Sequence, residues 1–422
     1  MRSPIDVLIY VHHPQRELDA AALLTILLKR DYGLSAFVAS HLYDDYDVIR
    51  RVSPKAVALP WYYTETKGFQ KMRRFFPSAR FVNLAWEQLY SKVSSQTKHI
   101  RGSYALSEMI FLAWGEEYRQ FLLADGVNAA NIKLVGNPAC GLLQDPYIKK
   151  YEDRRTLAEQ HGLDAGARWL FLPENWRAAY MTPNQYAVYD SDGNEGRGKR
   201  FHEWSKKSME ASCQWLREAP GRTEIILRPR PFIDPAKFRD FVRPWLEGSP
   251  KVHIIPDGTV KEWVAASDAV MSSLSSTILE AASAHKPTYV LAPFPIPDEF
   301  TTEWLDLGTQ VSTQEQFDAQ LCLSESLERN AGLEEWVAEN LMVTKDPLAS
   351  MAKELAEAVR SAKEASPGRP NELPLTLNAG IKHLRDLSKQ AIRGQKEKIS
   401  RKDYFQPDEV ESLVREWSRI LA

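Results

Sequence analysis

The sequence predicts an α/β protein with two doubly wound, Rossmann-like domains and a helical tail at its carboxyl end. Short apolar runs alternate with helical patterns along the chain, as in consecutive βαβ units. The runs are continuously apolar, which is typical of parallel strands that are buried on both faces. The length of 422 residues exceeds that of one ordinary domain. We therefore expect two or three domains.

The first domain is predicted to span residues 1–165 and to contain six strands. Its first apolar run is followed by a helix on which Leu18, Leu23 and Leu27 share one apolar stripe. Such a stripe can cover a sheet, so helix and sheet would pack as two layers around one core. The predicted strands are residues 6–11, 34–40, 56–61, 80–85, 109–114 and 133–136.

The second domain is predicted to span residues 166–345, after a linker at 162–167. An Ala-rich amphipathic helix at 346–364 is expected to close it, and residues 346–422 form helices and a basic tail. Sheets of this kind bind ligands at the carboxyl ends of their strands, so the two domains are expected to face each other across a ligand-binding cleft. The predicted strands are residues 169–173, 224–228, 252–255, 269–272 and 288–292.

Charge and cysteine content narrow the classes of function. The chain has 54 Lys and Arg against 56 Asp and Glu, a net charge of −2, so no overall positive field recruits nucleic acid. The three cysteines, Cys140, Cys213 and Cys322, lie far apart in the sequence. This pattern is typical of a protein in a reducing compartment that contains neither structural zinc nor disulfides. The first apolar run is too short for a signal peptide, and no segment has the ~20 apolar residues of a membrane span. We expect a cytoplasmic protein in which any membrane association is peripheral.

Residues 177–200 interrupt the second series of strands and helices. The spacing of Asp190, Asp192 and Asn194 is similar to the start of a calcium loop, but Phe201 stands at the twelfth position in place of the required Glu. We therefore expect no calcium site here. Two interpretations stay open, a mobile loop and a lid over the cleft.

Residues 376–402 form a strongly basic segment. Eight Lys and Arg against two Asp and Glu give a local charge of 8 − 2 = +6. A basic helical stretch of this kind can lie on anionic lipid headgroups. Binding to the inner membrane is one interpretation, and a solvated helix that closes the fold is the other.

The strongest indication of a ligand is the end of the strand at 224–228. Arg228 and Arg230 are two residues apart and would project from one face of the strand if it continued that far. Pro229 and Pro231 cannot continue a central ladder, so the chain is expected to leave the sheet here. Guanidinium groups bind phosphate by paired hydrogen bonds. We predict that both arginines bind the phosphate of a nucleotide.

A serine-rich turn follows the strand at 269–272. Backbone N–H groups and hydroxyls at the start of a helix form a site for an anion. Thr277 and Glu280 have the spacing of a capping box, and Glu280 is expected either to cap the helix or to bind a ribose. Phosphate is the predicted ligand of Ser273, Ser275, Ser276 and Thr277.

The turn at residues 253–258 lies at the same edge of the predicted sheet. Pro256 and Asp257 are therefore predicted to contact the nucleobase. Thr259 and Glu262 follow with capping-box spacing, which explains both residues structurally. We assign neither of them a catalytic role.

Four charged residues are candidates for the chemistry. Arg16 and Glu17 follow the first strand, Glu87 follows the fourth, and Glu174 follows the first strand of the second domain. Glu87 is a candidate general base for an acceptor hydroxyl, and a surface glutamate that begins a helix is the alternative. The two adjacent histidines after the first strand lack the spacing of zinc ligands on a helix, so no metal is expected.

Three further motifs are absent from the sequence: a P-loop, a GxGxxG after the first strand and a GxSxG elbow. Their absence disfavours kinases, dehydrogenases and α/β-hydrolases. The segments RELDAAALLTILL, FLAWGEEYRQFLL and IKLVGNPACGLL resemble the bacterial surface-carbohydrate proteins of capsule and lipopolysaccharide biosynthesis, although Gly141 stands where that family often has an acid. The second half, with RPRP and ASDAVMSSLSSTILEAASAHKPTYVLAPFP, is similar to GT-B enzymes such as polyol-phosphate polymerases and sialic-acid or Kdo transferases. Arg230 and Pro231 stand where those enzymes have His-Pro, so the role of that histidine is not transferred.

The resemblance implies a GT-B glycosyltransferase that moves a sugar from a nucleotide-sugar to a surface polysaccharide or a lipid-linked glycan. It implies that the second domain binds the donor nucleotide and that Arg16, Glu17 and Glu87 contact the acceptor. A cytidine-linked acidic sugar fits the serines and arginines slightly better than other donors. No Asp-x-Asp pair ends a strand, so we expect a mechanism without metal or cofactor. A nucleotide-sugar 2-epimerase, a CDP-polyol phosphotransferase and a non-catalytic scaffold of the same fold stay open as alternatives.

Overall fold

The computed structural model divides into two compact units. Unit 1 comprises Met1–Leu89, Thr97–Leu142 and Glu339–Ala422, and unit 2 comprises Tyr90–Gln96 and Leu143–Ala338. The structure describes residues 2–41, 48, 51–151, 153–190, 195–231, 233–249, 251–322, 329–362 and 405–422. Within these stretches, none of the helices has both the length and the apolar character that a bilayer crossing requires. The basic segment at 376–402 lies outside the described residues.

Unit 1 is built on a six-stranded sheet. Its strands are β1 (Ser3–Val11), β2 (Ala36–Ser40), β3 (Val52–Leu59), β4 (Arg80–Asn83), β5 (Ile110–Ala113) and β6 (Ile132–Leu134). They follow the order β2-β1-β3-β4-β5-β6, and every neighbouring pair is parallel. Leu8 and Ile9 of β1 have no exposed surface, as expected for a strand that is covered on both faces. All six predicted strands of the first domain are confirmed.

The long helix Pro14–Tyr32 covers this sheet. It begins with proline, whose missing N–H is not needed in a first turn, and it ends at Gly33 in the left-handed conformation with a φ of 67°. Leu23 and Leu27 are completely buried, which confirms the predicted stripe. The other helices that lie wholly in unit 1 are Lys67–Phe75, Ser103–Ser107, Glu116–Ala124, Pro138–Gly141, Pro347–Arg360 and Pro407–Ile420.

The two last helices pack on the first sheet and its helix. Pro347–Arg360 contacts Pro14–Tyr32, β3 and β4, so the expectation that it closes the second domain is wrong. Its apolar stripe suits either sheet, but Pro347 fits closely against Gly136, where an added Cβ would lie 2.8 Å from the proline ring. The helix Pro407–Ile420 contacts the same long helix. Its buried Trp417 donates from Nε1 to Asp19 at 3.0 Å.

Unit 2 contains a second six-stranded sheet. Its strands are β7 (Trp169–Pro173), β8 (Glu224–Arg228), β9 (Val252–Ile254), β10 (Ala269–Ser272), β11 (Thr288–Leu291) and β12 (Thr309–Val311). They follow the order β12-β11-β10-β7-β8-β9, again with parallel pairs throughout. The five predicted strands are confirmed, whereas β12 was not predicted. The helices include Lys92–Ser95, Arg154–His161, Pro183–Tyr186, Arg197–Glu218, Pro235–Leu246, Val260–Ala266, Thr277–Ser283, Glu303–Leu307, Gln314–Cys322 and Ala331–Asn340.

The chain after β7 was expected to be a mobile loop or a lid. Most of it forms short helical turns at Arg177–Tyr180, Pro183–Tyr186 and Ala187–Asp190. Trp176 and Ala179 belong to the apolar core of unit 2 because they pack with residues of the sheet and of the helix that follows. The part from 191 to 194, with Asp192 and Asn194, lies outside the described residues.

Candidate functional site

The carboxyl edge of the second sheet contains most of the predicted nucleotide-binding residues. The chain winds from β7 to β8 and β9 in one direction and then continues from β10 on the other side of β7. The strand order therefore reverses between β7 and β10, and such switch points are where open α/β sheets bind ligands. The loops that leave these strands begin at Glu174, Ser273 and Pro229.

Glu174 is buried beneath this edge, with 3% of its surface exposed. One carboxylate oxygen accepts a hydrogen bond from the backbone N–H of Trp176 at 2.8 Å, and the other accepts from the backbone N–H of Arg230 at 3.1 Å. Burial raises the pKa of this carboxyl, although Arg230 and the two N–H groups oppose the effect. Glu174 therefore joins the loops that follow β7 and β8. Its predicted catalytic role stays a prediction.

Asn175 continues this connection across the switch point. The guanidinium of Arg230 donates from Nη2 to the side-chain oxygen of Asn175. The amide nitrogen of Asn175 donates in turn to the carbonyl oxygen of Leu274, in the loop after β10. Side-chain hydrogen bonds thus link the loops of three adjacent strands and hold Arg230 at the edge.

Arg228 is the last residue of β8 and lies on the other side of this network. Its Nη2 donates to the carbonyl oxygen of Gly258 at 2.7 Å, while its Nε is buried without a hydrogen-bond partner. Burial lowers the pKa of Arg228, with the carboxylates of Glu262 and Asp257 opposing, but a guanidinium stays charged near neutral pH. The site thus contains a fixed cation with an enclosed, unused donor.

The serine-rich turn differs in part from the prediction. The hydroxyl of Ser272 is used by the fold, since it donates to the carbonyl oxygen of Pro173 at 2.6 Å. The hydroxyl of Ser273 is buried and has no partner. The hydroxyl of Ser275 donates to that of Thr277 at 3.1 Å and accepts from the Thr277 N–H at 3.3 Å.

The predicted capping box of Thr277 and Glu280 does not form. The helix starts one residue earlier than a Thr277 cap requires, so Ser276 is the residue at the cap, and it makes no side-chain cap bond. Glu280 lies 3.8 Å from the Nζ of Lys261. The N–H groups of residues 277–280 all donate within the turn, so they are not free for an anion. Residues 277–280 could therefore bind an anion only through their side chains.

The turn after β9 is held in place beside Arg228. Pro256 is partly buried and Asp257 is exposed, and the Asp257 carbonyl accepts from the indole N–H of Trp263 at 3.0 Å. The capping box of Thr259 and Glu262 is confirmed. Pro256 and Asp257 thus lie at the edge of the sheet where a base contact was predicted, and that contact stays a prediction.

Sequence reasoning missed Tyr180 as part of this edge. Its hydroxyl is buried without a hydrogen-bond partner. Burial raises the pKa of Tyr180, an effect that the Glu174 carboxyl strengthens and Arg230 opposes. The ring packs edge-on against Phe241 at 4.5 Å between centroids. The sequence did not predict this position because Tyr180 lies in a segment that has the pattern of a loop.

A second candidate site lies at the carboxyl edge of the first sheet, where the strand order reverses between β1 and β3. Glu17 is only 4% exposed there, and its carboxylate accepts from the backbone N–H groups of His12, at 2.7 Å, and His13. Burial raises the pKa of Glu17 to about 8, although these N–H groups and Arg16 act in the opposite direction. A large fraction of Glu17 is therefore protonated at neutral pH.

Arg16 and Glu87, both predicted at this edge, form an exposed ion pair of 2.7 Å. Burial acts to raise the pKa of Glu87, but Arg16, Lys98 and His13 together lower it by more. The pKa of Glu87 therefore lies below its ordinary value. Glu87 is therefore ionised near neutral pH and is a weak base. Its predicted role as general base stays a prediction.

Sequence reasoning missed a cluster of rings at the same edge, which we call the His–Trp cluster: His12, His41, Trp61 and Tyr63. Trp61 lies 6.1 Å from His12 and 5.4 Å from His41 between ring centroids, and it stacks on Tyr63 at 5.7 Å. Burial lowers the pKa of His41 to about 4, and His12 adds to this effect. Trp61 and Tyr63 are partly exposed, so a ligand can reach them.

The described residues contain no group of three or more His, Cys, Asp or Glu side chains placed to hold a metal ion. Asp190, the first residue of the segment that is similar to a calcium loop, accepts from the N–H of Gly198 at 2.8 Å. Asp190 thus stabilises the start of the helix Arg197–Glu218. The metal-free mechanism stays a prediction.

Solved structures with this architecture differ widely from the chain in sequence. A variant of the wall teichoic acid polymerase TagF, soaked with CDPG, is 10% identical at a TM-score of 0.53, and the match covers 85% of this chain and 89% of that one. A UDP-N-acetylglucosamine 2-epimerase is 14% identical at 0.53, with 88% and 100% covered. A UDP-GlcNAc 2-epimerase from Neisseria meningitidis, bound to UDP-GlcNAc, is 13% identical at 0.50, with 85% and 100% covered.

No protein-family model matches the chain, and no curated protein matches it either. At identities this low, the similarity to the solved structures shows the fold alone. With its two six-stranded parallel sheets covered by helices, the chain has the α/β architecture of the GT-B class.

Proposed function

We propose that this protein is a glycosyltransferase that uses a nucleotide-sugar to extend a surface polysaccharide or a lipid-linked glycan. The observation that carries the proposal is the set of donors at the switch point of the second sheet. Arg230 is held there through Asn175, and both Arg228 Nε and the Ser273 hydroxyl are buried without hydrogen-bond partners. A buried unused donor is costly, and a phosphate oxygen would satisfy it.

The phosphate groups of the donor would bind between the loops of β8 and β10. Arg228 and Arg230 would neutralise the charge that develops on the leaving nucleotide, in a setting where their positions are fixed before the reaction. Pro256 and Asp257, next to the Gly258 carbonyl that Arg228 binds, would contact the base. Solved structures of the same fold contain CDPG or UDP-GlcNAc, which agrees with a nucleotide-linked donor. A cytidine-linked acidic sugar remains slightly preferred, because a second anionic group suits the paired arginines.

The acceptor would bind at the carboxyl edge of the first sheet. In the transfer step an acceptor hydroxyl oxygen forms a bond to the anomeric carbon, the bond from that carbon to the phosphate oxygen breaks, and the hydroxyl proton passes to a base. Glu87 is the predicted base, and the ion pair with Arg16 holds it in the ionised form that can accept a proton. Trp61 offers a partly exposed ring face on which a sugar can stack.

Nucleotide binding tests the donor half of the proposal. CMP, UDP and GDP are each added to the full chain, and thermal stability is measured. A ligand at 100 times its dissociation constant adds about 2.7 kcal/mol to the free energy of unfolding. Arg230→Ala should weaken binding about tenfold or more, since a charge-assisted hydrogen bond is lost. Arg222→Ala is the matched control, because Arg222 is exposed just before the opposite end of β8. No shift with any nucleotide would favour the non-catalytic scaffold.

The products distinguish the catalytic alternatives. Incubation of the donor without acceptor, followed by NMR, yields an isomer of the donor if the protein is a 2-epimerase. A CDP-polyol phosphotransferase leaves a phosphodiester in the product and releases CMP. A glycosyltransferase consumes donor only when the acceptor is present and leaves no phosphorus in the new linkage.

A further inference from the structure

A cavity of about 670 Å³ lies in unit 1, away from both candidate sites. It opens beside Arg80, the first residue of β4, whereas Glu87 follows the opposite end of that strand. Its volume lies in the range of 300–1,000 Å³ that is typical of small-molecule sites. Neither predicted donor residues nor predicted acceptor residues line it.

The lining of this cavity is rich in arginine. Arg73, Arg74 and Arg80 contribute three positive charges, and Glu65 and Glu108 contribute two negative ones, so the net charge is 3 − 2 = +1. Arg74 is exposed and adjoins the carboxyl end of its helix, where a cation is also favoured by the helix dipole. Arg80 lies on a strand, so the helix dipole does not explain its position.

The guanidinium group of Arg73 is held in position. Arg73 lies 3.8 Å above the ring of Tyr104 and 3.5 Å from the carboxylate of Glu65. Burial raises the pKa of Tyr104, and the cations of Arg80 and Arg73 oppose this effect. The side chains are therefore arranged before any ligand arrives, which reduces the entropic cost of binding.

Arg80 provides the observation that points to a ligand. Its Nε is buried and has no hydrogen-bond partner among the described residues. A buried guanidinium donor without an acceptor is costly, and because Arg80 lines the cavity, an oxyanion bound there would give its guanidinium the acceptor that the described residues do not supply. Oxyanions match the planar guanidinium by paired hydrogen bonds.

We propose that this cavity is a second ligand site, which binds the oxyanion of a small molecule the size of a sugar phosphate. Arg80 and Arg74 bind the anionic group, and Arg73 with Tyr104 forms the wall beside it. The shared chemistry of the ligands is a phosphate or a carboxylate on a polar body. The site does not depend on the proposed transferase function.

Binding to the full chain is measured by titration calorimetry with glucose 1-phosphate, inorganic phosphate, glucuronate and glucose. The two phosphate ligands test for a phosphate group, glucuronate tests for a carboxylate, and neutral glucose should not bind. All titrations are repeated in an Arg230→Ala background, so that binding at the proposed donor site does not contribute. Hydrogen exchange with bound ligand should protect peptides that contain residues 65–81 and 103–108.

Arg80→Gln should weaken anion binding by at least about tenfold, since it removes a charged bidentate donor. Arg101→Gln is the control, because it removes the same charge from an exposed residue of unit 1 that does not line the cavity. Arg80→Lys keeps the charge and tests the bidentate geometry if the glutamine variant does not fold. Anion affinity that is equal in wild type, Arg80→Gln and Arg80→Lys, or ligand protection outside the named peptides, would overturn the proposal.

Discussion

Replacing Glu17 by glutamine should change how the stability of unit 1 depends on pH. Glu17 is buried at the edge of the first sheet, and burial raises the pKa of its carboxyl to about 8. Glutamine has nearly the same size and still offers one oxygen to the N–H groups of His12 and His13, but it does not titrate. The comparison therefore isolates the protonation of one carboxyl group.

The sign and size of the effect follow from the two pKa values of this group. The ordinary pKa is 4.5, so between pH 4.5 and about 8 the folded state keeps a proton that the unfolded state has released. The contribution of Glu17 to stability is complete below pH 4.5, and it is lost as the pH rises through the folded pKa. Each pH unit in this window lowers the free energy of unfolding by about 1.4 kcal/mol. Over the whole window the loss is about 5 kcal/mol.

His41 also makes the stability of both proteins depend on pH. Burial lowers its pKa from 6.5 to about 4, so between these values the unfolded state binds a proton that the folded state does not. Its contribution therefore increases stability as the pH rises, which opposes Glu17 up to pH 6.5. Because His41 is present in wild type and in Glu17→Gln alike, its contribution cancels in their difference, and between pH 6.5 and 8 wild type should lose about 2 kcal/mol relative to Glu17→Gln.

The two buried cysteines allow each unit to be measured separately. Cys140 belongs to unit 1 and Cys213 to unit 2, and both are buried thiols outside any disulfide. Urea unfolding at several pH values is followed by a short pulse of a thiol reagent, and mass spectrometry reports the labelled fraction of each cysteine. The Cys140 midpoint should separate wild type from Glu17→Gln as the pH rises, whereas the Cys213 midpoint should not. A constant Cys140 difference from pH 6.5 to 8 would mean that Glu17 is already ionised in the folded state.

Three further predictions use the same assays. Glu174→Gln should lower the free energy of unfolding of unit 2, followed at Cys213, by about 1–3 kcal/mol and weaken nucleotide binding, because one of two backbone N–H groups then faces an amide donor. Equal Cys213 midpoints in wild type and variant would contradict this. Gly198→Ala should destabilise unit 2 by more than about 3 kcal/mol, because the added Cβ would lie 1.8 Å from the Tyr186 carbonyl oxygen, whereas Gly332→Ala, where the nearest atom is 3.7 Å away, should cost little. Removal of divalent ions with a chelator should leave transfer unchanged, and loss of transfer that is restored by Mg²⁺ would refute the metal-free mechanism.

The strands were predictable because their signal is local. Continuous apolar runs such as Trp169–Pro173 and Glu224–Arg228 predicted buried parallel strands within a few residues of their bounds. Thr309–Val311 was missed because only the last of its three residues is buried. The position of the helix Pro347–Arg360 was mispredicted for a different reason, since an apolar stripe does not say which of two sheets it covers. The choice of sheet depends on contacts with residues far away in the sequence, such as the close fit of Pro347 to Gly136 and Gly141.

The candidate sites were likewise predictable only where the sequence signal is local. Arg228 and Arg230 were predictable because proline punctuation showed where their strand ends. The His–Trp cluster was not, because its members follow three different strands and only the order β2-β1-β3 shows that those ends are neighbours. The available signal was that β1, β2 and β3 are each followed within two residues by His or Trp. Two segments have capping-box spacing, but only one forms the box. The Thr259 hydroxyl accepts from the N–H of Glu262. In the other segment the hydroxyl of Ser275 accepts from the N–H of Thr277, and the helix begins at Thr277.

The two carboxyl groups that the sequence placed among the catalytic candidates share one arrangement in the structure. Glu17 and Glu174 each follow the first strand of their sheet, are almost completely buried, and accept hydrogen bonds from two backbone N–H groups. Burial raises both pKa values, and neither carboxyl is exposed to solvent. Each fixes the loop at a switch point, where small displacements would misplace any bound substrate. These loops present the other candidate groups, which are Arg230 on one sheet and the Arg16–Glu87 pair on the other, and the catalytic roles predicted for Glu17 and Glu174 stay predictions.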